Sequence, residues 1–156
     1  MKFWLMKTEP NTFSIADLQE RENQVEPWDG VRNYQARNMM RDQMQVGDLA
    51  FFYHSNCKVP AIMGVVEICS ASYPDFTQYD PDSKYFDPKS NPDKPRWFLV
   101  DVKFKEEFAE PISLACLRSH EFLQDMVLLQ KGSRLSITPV AAEHWNYVLQ
   151  LANQVA

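Results

Sequence analysis

The segment between Tyr73 and Pro95 constrains the possible fold most strongly. It holds five of the ten prolines of the chain together with five aspartates, and this composition disfavours a helix or a central strand. It also carries Phe76, Tyr79, Tyr85 and Phe86, and aromatic residues at this density are unexpected in a disordered linker. We therefore expect a long, ordered, irregular loop packed against the rest of the protein, and loops of this length are usually functional.

Short strands are predicted on both sides of this loop. The clearest is Trp97–Glu106, where apolar and polar residues alternate with the period of a half-buried strand. Lys2–Met6 is predicted as a buried first strand, and Leu49–His54 and Ala61–Ser72 as a hairpin or meander. Arg134–Ile137 is predicted as a closing strand.

The predicted helices are mostly short. Ser14, followed three residues later by Asp17, indicates an N-cap for a helix from about Ile15 to Glu22. Further helical segments are predicted at Asn33–Met44, Leu114–Leu117, Leu123–Leu129 and from Pro139 onward. Because strands and helices do not alternate as βαβ units, we expect an α+β domain on a strongly curved sheet or small barrel.

Length and charge restrict the functional classes. The 156 residues accommodate one domain, 1–156. No signal peptide and no apolar run long enough for a membrane helix is found, so we expect a cytoplasmic monomer without a membrane partner. The net charge of −5 opposes broad binding to duplex phosphates, so any nucleic-acid role must use a pocket with a small basic rim.

The common signatures of enzymes are absent from the sequence. There is no phosphate-binding glycine loop, HExxH or GxSxG motif. Cys57, Cys69 and Cys116 show no metal-ligand spacing with one another or with the scattered histidines. We therefore expect no metal, no cofactor and no catalytic residue.

The densest block of potential binding residues is WDGVRNYQARN, from Trp28 to Asn38. An indole can stack on a base, Asp29 and Asn33 can read donors and acceptors, and arginines can meet phosphates. The alternative interpretation is that Trp28 belongs to the core and that Asp29 caps the following helix.

Arg32, Arg37 and Arg41 form a positive segment in an otherwise acidic chain, since no acidic residue lies between Val31 and Arg41. This segment is compatible with a phosphate-facing rim. An ordinary solvated helix face explains the three arginines equally well.

A polar group of residues ends the strand predicted at Leu49–His54. His54, Ser55 and Asn56 are placed where a barrel mouth would present hydrogen-bonding groups to a ligand. The alternative is that Ser55 and Asn56 only make the turn toward Pro60.

Several blocks of the sequence occur in the order found in one known family. The blocks are Trp4–Pro10, Trp28–Asn33, Gly47–Asp48, Tyr53–Asn56, Tyr85–Pro88, Pro95–Trp97 and Arg134–Val140. Together they resemble the EVE domain family over nearly the whole chain. The family often has Lys-Ser-Glu-Pro where this chain has Lys7–Pro10, and this is a conservative difference.

The resemblance implies a fold and a function. The fold would be PUA-like, a small mixed β-barrel flanked by short helices and related to YTH domains. The function would be non-enzymatic recognition of modified bases, such as modified cytosine, in DNA or RNA through an aromatic pocket.

The resemblance also implies roles for individual residues. Trp28 would be the base-stacking wall, and Tyr85 or Trp97 would supply a second wall. Around the pocket mouth we expect Lys7, Asp29, Asn33, Ser55 and Asn56, with His54 as a further candidate contact. The candidates for binding phosphate are Arg32, Arg37 and Arg134.

Two rival functions use the same residues. One is an enzyme acting on a nucleotide-like small molecule, with His54 as the acid–base group and Asp29 or Asp87 as its partner. The other is a module that binds a small metabolite or nucleoside in the same cavity, and the acidic composition favours this second rival.

Overall fold

The computed structural model describes residues 1–132 and 134–154 and contains eight strands in this part of the chain. They are β1 (Phe3–Thr8), β2 (Val25–Pro27), β3 (Leu49–His54), β4 (Ala61–Ile68), β5 (Tyr73–Pro74), β6 (Phe98–Leu99), β7 (Asp101–Ser113) and β8 (Ile137–Val140). Six of them form one sheet in the order β2-β7-β4-β3-β1-β8, and β5 pairs with β6 separately. Within the six-stranded sheet, β1 and β3 are parallel and the other neighbours are antiparallel.

The sheet curls into a half-barrel, and irregularities in its register contribute to the curvature. The β3–β4 register shifts between Phe52 and Tyr53, and the β4–β7 register shifts on both sides of Gly64. A Cβ atom at Gly64 would collide with the carbonyl oxygen of Glu106, so only glycine fits where the two strands approach. Such bulges bend and twist a strand, and the resulting mixed sheet confirms the predicted α+β, PUA-like class.

Successive residues of the central strands enter two separate cores. Trp4, Met6 and Phe52 belong to the first core, whereas Leu5 and Phe51 belong to the second. All five side chains are essentially inaccessible to solvent. Both faces of the sheet are therefore covered, which explains why these strands are continuous apolar runs rather than alternating ones.

The described part of the chain contains four α-helices, which lie around the sheet. They are α1 (Ile15–Glu20), α2 (Tyr34–Asn38), α3 (Leu114–Arg118) and α4 (Ala142–Gln154). A π-helical turn, Met39–Gln43, continues α2, and 3-10 turns occur at Glu22–Gln24, Phe76–Tyr79, Glu121–Leu123 and Val127–Leu129. Among the described residues, no helix combines the length and apolar character needed to cross a bilayer.

The predicted N-cap of the first helix is confirmed. The Ser14 hydroxyl accepts a hydrogen bond from the Asp17 backbone N–H at 3.1 Å, and the Asp17 carboxylate accepts one from the Ser14 N–H at 2.9 Å. This reciprocal capping box satisfies two backbone donors that the first helical turn leaves free.

The strand predicted at Trp97–Glu106 is divided in the structure. It breaks at Val100, so that β6 pairs with β5 while β7 pairs with β4 and β2. The Val100 carbonyl instead accepts a hydrogen bond from the Trp28 N–H at 2.8 Å. The prediction of one continuous strand is therefore wrong at Val100, because its carbonyl bonds to Trp28 instead of to a neighbouring strand of a ladder.

The predicted boundaries near the C-terminus were also wrong. The closing strand begins at Ile137 rather than Arg134, and α4 begins at Ala142 rather than Pro139. Pairing between β8 and β1 places Val140 opposite Phe3, so that Pro139 lies in an edge strand, where it is tolerated. The segment predicted as helical at Leu123–Leu129 instead holds only the end of one 3-10 turn, Glu121–Leu123, and a second 3-10 turn, Val127–Leu129.

The long loop between β5 and β6 packs against the body of the protein, as predicted. Its central anchor is Gln78, which is fully buried. The Gln78 amide nitrogen donates to the carbonyls of Asp75 and Trp97 at 2.7 and 2.8 Å, and its oxygen accepts from the Trp97 N–H at 3.1 Å. One side chain thus satisfies backbone groups that a regular ladder would otherwise pair.

The protonation of His54 makes the stability of the fold depend on pH through a hydrogen bond at the start of α1. Its Nε2 accepts a hydrogen bond from the Ile15 N–H at 3.2 Å, so the ring is neutral at that nitrogen. Burial lowers the pKa of His54, although the charges of Asp17 and Glu107 oppose this effect. The unfolded chain therefore binds the proton first, and stability is lost as the pH falls through the ordinary histidine pKa of about 6.5.

We predict that His54→Gln, whose amide oxygen can accept the same hydrogen bond, loses less stability than the wild type between about pH 7.5 and 5. The expected difference is about 1 kcal/mol, the contribution of one hydrogen bond. Urea unfolding at several pH values measures it. Parallel pH profiles for the two proteins would contradict the assignment.

Candidate functional site

A cleft of about 750 Å³ opens at the end of β1, beside the segment that joins β2 to α2. Seven of the residues singled out in the sequence line this cleft: Lys7, Trp28, Asp29, Arg32, Asn33, Tyr85 and Arg134. They come from four distant parts of the chain. The volume lies in the range of pockets that hold small organic groups.

Other residues on the cleft were not predicted. Phe13 and Glu26 line its wall, together with Arg21, which pairs with Glu26 at 2.9 Å. Lys84 lies over the Tyr85 ring, with its Nζ atom 5.1 Å from the ring centroid. The sequence gives no signal for Phe13 or Arg21, because the α1 segment reaches the cleft only through tertiary packing.

Trp28 is both a core residue and part of the cleft wall. It exposes 6% of its surface and packs edge to face against Phe52 and Phe13, with centroid separations of 5.6 and 6.3 Å. The core interpretation is thus confirmed, but the capping interpretation of Asp29 is wrong. Asn33 caps α2 instead, because its Oδ1 accepts a hydrogen bond from the Ala36 N–H at 3.0 Å.

A buried carboxylate fixes the backbone of this wall. Asp75 is inaccessible to solvent and accepts hydrogen bonds from the Gly30 N–H at 2.9 Å, from Arg32 Nη1 at 3.1 Å and from the Thr77 N–H at 2.8 Å. Nothing in the sequence pattern connects Asp75 with Gly30, which precedes it by 45 residues. This contact joins the long loop to the segment that carries Trp28.

Arg32 is part of this internal network. Its Nε and Nη2 donate to the Tyr85 carbonyl at 3.2 and 2.7 Å, and Nη2 also donates to the Thr77 hydroxyl at 3.2 Å. Its Nη1 donates to the Val31 carbonyl and to Asp75. These five bonds use all five N–H donors of a guanidinium, so the structure leaves Arg32 no free donor for a phosphate.

Tyr85 lies directly on Gly30 and forms the second aromatic wall. Gly30 has a φ of 83°, and a Cβ atom there would lie 2.5 Å from Cζ of Tyr85. Glycine is therefore required twice, once for its left-handed backbone and once for the close approach of the ring.

The charges inside the cleft are only partly compensated. The side chain of Asp29 is exposed to the cleft and receives no hydrogen bond from another described side chain, and burial raises its pKa with help from Asp75 and Glu26. Burial lowers the pKa of Lys7. Among the described residues, no carboxylate lies within 4.0 Å of Lys7, Lys84 or Arg134. The cleft thus presents an acceptor and several cationic donors to a ligand.

His54, Ser55 and Asn56 do not line the cleft. His54 is occupied by the Ile15 N–H, as described above. Asn56 adopts a left-handed φ of 51° and donates to Glu9 at 2.9 Å, and the Ser55 N–H donates to the Thr8 carbonyl. The turn interpretation of Ser55 and Asn56 agrees with this geometry.

Trp97 and Arg37 also lie outside the cleft lining. Trp97 is buried, and its Nε1 donates to Asp87 at 2.8 Å. Arg37 donates to the Arg96 carbonyl at 2.8 Å and to the Asn38 side chain. The sequence did not decide whether Tyr85 or Trp97 forms the second wall of the cleft. In the structure it is Tyr85.

Comparison with known proteins identifies the family. The sequence model of the EVE domain family matches residues 2–151 of this chain. The chain belongs to the EVE domain family. This agrees with the resemblance in the sequence, and the cleft described above is a feature of this EVE domain.

Relatives with known structures share the whole fold. Human thymocyte nuclear protein 1 is 44% identical over 165 residues, which cover 95% of this chain and 72% of that protein. A crystal structure of human thymocyte nuclear protein 1 in complex with DNA containing 5-methylcytosine matches with a TM-score of 0.92 at 43% identity, covering 97% of this chain and 98% of that chain. A crystal structure of a protein from Pseudomonas syringae matches with a TM-score of 0.91 at 47% identity, covering 96% and 99%.

We predict that Gly30→Ala destabilises this EVE domain more than Gly47→Ala. Both glycines have positive φ, at 83° and 97°, but only Gly30 has a ring within contact distance of a Cβ atom. Gly47→Ala should cost about 1 kcal/mol, and Gly30→Ala about 1 to 3 kcal/mol more through overpacking. Urea unfolding measures both values.

The double variant Gly30→Ala, Tyr85→Ala separates the ring contact from backbone strain. The overpacking cost should disappear when the ring is removed, which gives a coupling free energy of about 1 kcal/mol or more. Strict additivity of the two substitutions would show that Tyr85 does not rest on Gly30.

Proposed function

We propose that this chain is a non-enzymatic reader of modified bases and that a base such as 5-methylcytosine binds in the cleft between Trp28 and Tyr85. The observation that carries the proposal is the cleft itself, which is lined by two aromatic side chains, Trp28 and Tyr85, and by the only partly compensated charges of Asp29 and Lys7. Human thymocyte nuclear protein 1, a relative with the same fold, has been crystallised with DNA containing 5-methylcytosine. DNA is therefore the first nucleic acid to test.

The polar groups of the cleft suit the edge of a nucleobase. The Asp29 carboxylate can accept a hydrogen bond from an exocyclic amino group, and the Lys7 ammonium can donate to a ring carbonyl or nitrogen. Trp28 and Tyr85 offer apolar surface for the ring and for a methyl substituent. Lys84 and Arg134 at the rim carry the positive charge that the attached phosphates require.

Binding rather than chemistry fits the placement of the titratable groups. The rival enzyme needs His54 beside Asp29 or Asp87, but the Nε2 atom of His54 is held by the Ile15 N–H and the residue lies off the cleft. Asp87 accepts hydrogen bonds from Trp97 and from the Lys89 N–H. Neither pairing is assembled in the structure.

The single-domain organisation, monomeric state and cytoplasmic location expected from the sequence stay predictions.

We predict that the purified protein binds a short duplex with one central 5-methylcytosine more tightly than the same duplex with cytosine. Asp29→Asn should lower the affinity for the modified duplex by about tenfold, because one edge contact contributes about 1 to 3 kcal/mol. Fluorescence anisotropy at one fixed salt concentration measures both affinities. Glu110→Gln, which removes an exposed carboxylate far along β7, is the matched control.

A second variant tests the aromatic wall without emptying the core. Trp28→Phe keeps an aromatic ring against Phe52 but removes indole surface from the cleft, so affinity for the modified duplex should fall. Unchanged affinity for the modified duplex in both Asp29→Asn and Trp28→Phe would show that the base does not bind here. Tight binding of free nucleosides without any duplex binding would favour the small-metabolite module.

A further inference from the structure

A continuous series of stacked side chains connects the cleft with the surface of α2. The Cζ atom of Arg32 lies 5.6 Å from the Tyr85 ring centroid and 5.3 Å from that of Trp97. The Trp97 ring stacks on Tyr34 with centroids 4.9 Å apart and an interplanar angle of 20°. The Arg37 Cζ lies 4.7 Å from the Tyr34 ring. The outer end of this series therefore has a fixed position relative to the cleft.

The outer end of the series is positively charged. Among the described residues, no carboxylate oxygen lies within 4.0 Å of Arg37, and its hydrogen bonds go to the neutral acceptors Arg96 O and Asn38 Oδ1. The Arg96 side chain is 40% exposed and only reaches Asp87 at 4.0 Å. Arg41 follows one turn later, although it is paired with Asp42. This surface contrasts with the net charge of −5 for the whole chain.

Tyr34 distinguishes between possible partners of this surface. It is the first residue of α2 and is 52% exposed, unlike the buried Trp97 beneath it. Exposed aromatic rings interleaved with arginines are typical of surfaces that follow a nucleic-acid strand, where rings meet bases or sugars and guanidinium groups meet phosphates. An acidic peptide would use the arginines but not the ring.

We propose that the surface formed by Tyr34, Arg37 and Arg96, named here the α2 surface, binds the nucleotide next to the base held in the cleft. Arg37 and Arg96 contact its phosphate, and the exposed edge of the Tyr34 ring packs against its sugar, since the two ring faces are covered by Trp97 and Arg37. This proposal rests on the proposed reader function. It assigns the α2 surface a contribution to affinity that does not depend on the modification.

The salt dependence of duplex binding tests the proposal. Each lost phosphate contact lowers the slope of log affinity against log salt by about 0.9 for duplex DNA. Arg37→Gln should therefore show a slope smaller by about 0.9, with affinities for the modified and unmodified duplexes reduced by the same factor. Arg118→Gln, the same charge change at the exposed last residue of α3, should leave both quantities unchanged.

Two further variants keep the test independent of the structural bonds that Arg37 makes. Asp42 is exposed, and its side chain contacts Arg41. Asp42→Asn releases this arginine and should raise the affinity for both duplexes and steepen the slope. Tyr34→Ala should lower affinity by roughly fivefold with no change in slope, because an apolar contact with the sugar involves no counterion release.

The possible outcomes separate this proposal from the proposed function. Suppose that Arg37→Gln, Asp42→Asn and Tyr34→Ala all keep the wild-type slope, affinity and preference for the modified duplex. This result would overturn the proposal for the α2 surface but not the proposal for the cleft. A changed preference in Arg37→Gln would overturn it as well, because Arg37 would then read the base. If the wild type binds neither duplex but binds an acidic peptide through Arg37, both proposals fail.

Discussion

The cleft depends on the carboxylate of Asp75, which joins two segments that are distant in the sequence. Its oxygens hold the backbone of Gly30 and the guanidinium of Arg32, and Arg32 in turn holds the carbonyl of Tyr85. A fully buried carboxylate is costly unless its hydrogen-bonding capacity is met. The network meets this requirement, and in doing so it fixes both aromatic walls relative to each other.

The six-stranded sheet, which has a hydrophobic core on each face, supports this arrangement. The first core, which contains Trp28 and Phe52, lies on the cleft side, whereas the second core contains Phe51 and Trp145. Stacking of Phe51 on Trp145, with centroids 3.9 Å apart, ties α4 to the opposite face. Substitutions in the second core therefore reach the cleft only through the strands that the two cores share.

Local patterns made part of the structure predictable. The Ser14 capping box, the β3–β4 pair and the packing of the long loop against the body follow from residue spacing, turn chemistry and composition, and all three are confirmed. The break at Val100 and the role of Asp75 were missed, because both arise from partners far away in the sequence. For the same reason the sequence suggested a phosphate role for Arg32, although tertiary contacts use all of its donors.

The internal hydrogen bonding of the loop between β5 and β6 has a kinetic consequence for the proposed function. The buried side chains of Gln78 and Asp75 make hydrogen bonds to backbone groups of the loop. The walls of the cleft are therefore formed in the structure without a ligand. A preformed site loses little conformational entropy on association. Under the proposed reader function, the slow step of binding then belongs to the nucleic acid, and the association rate reports how often it exposes the base that enters the cleft.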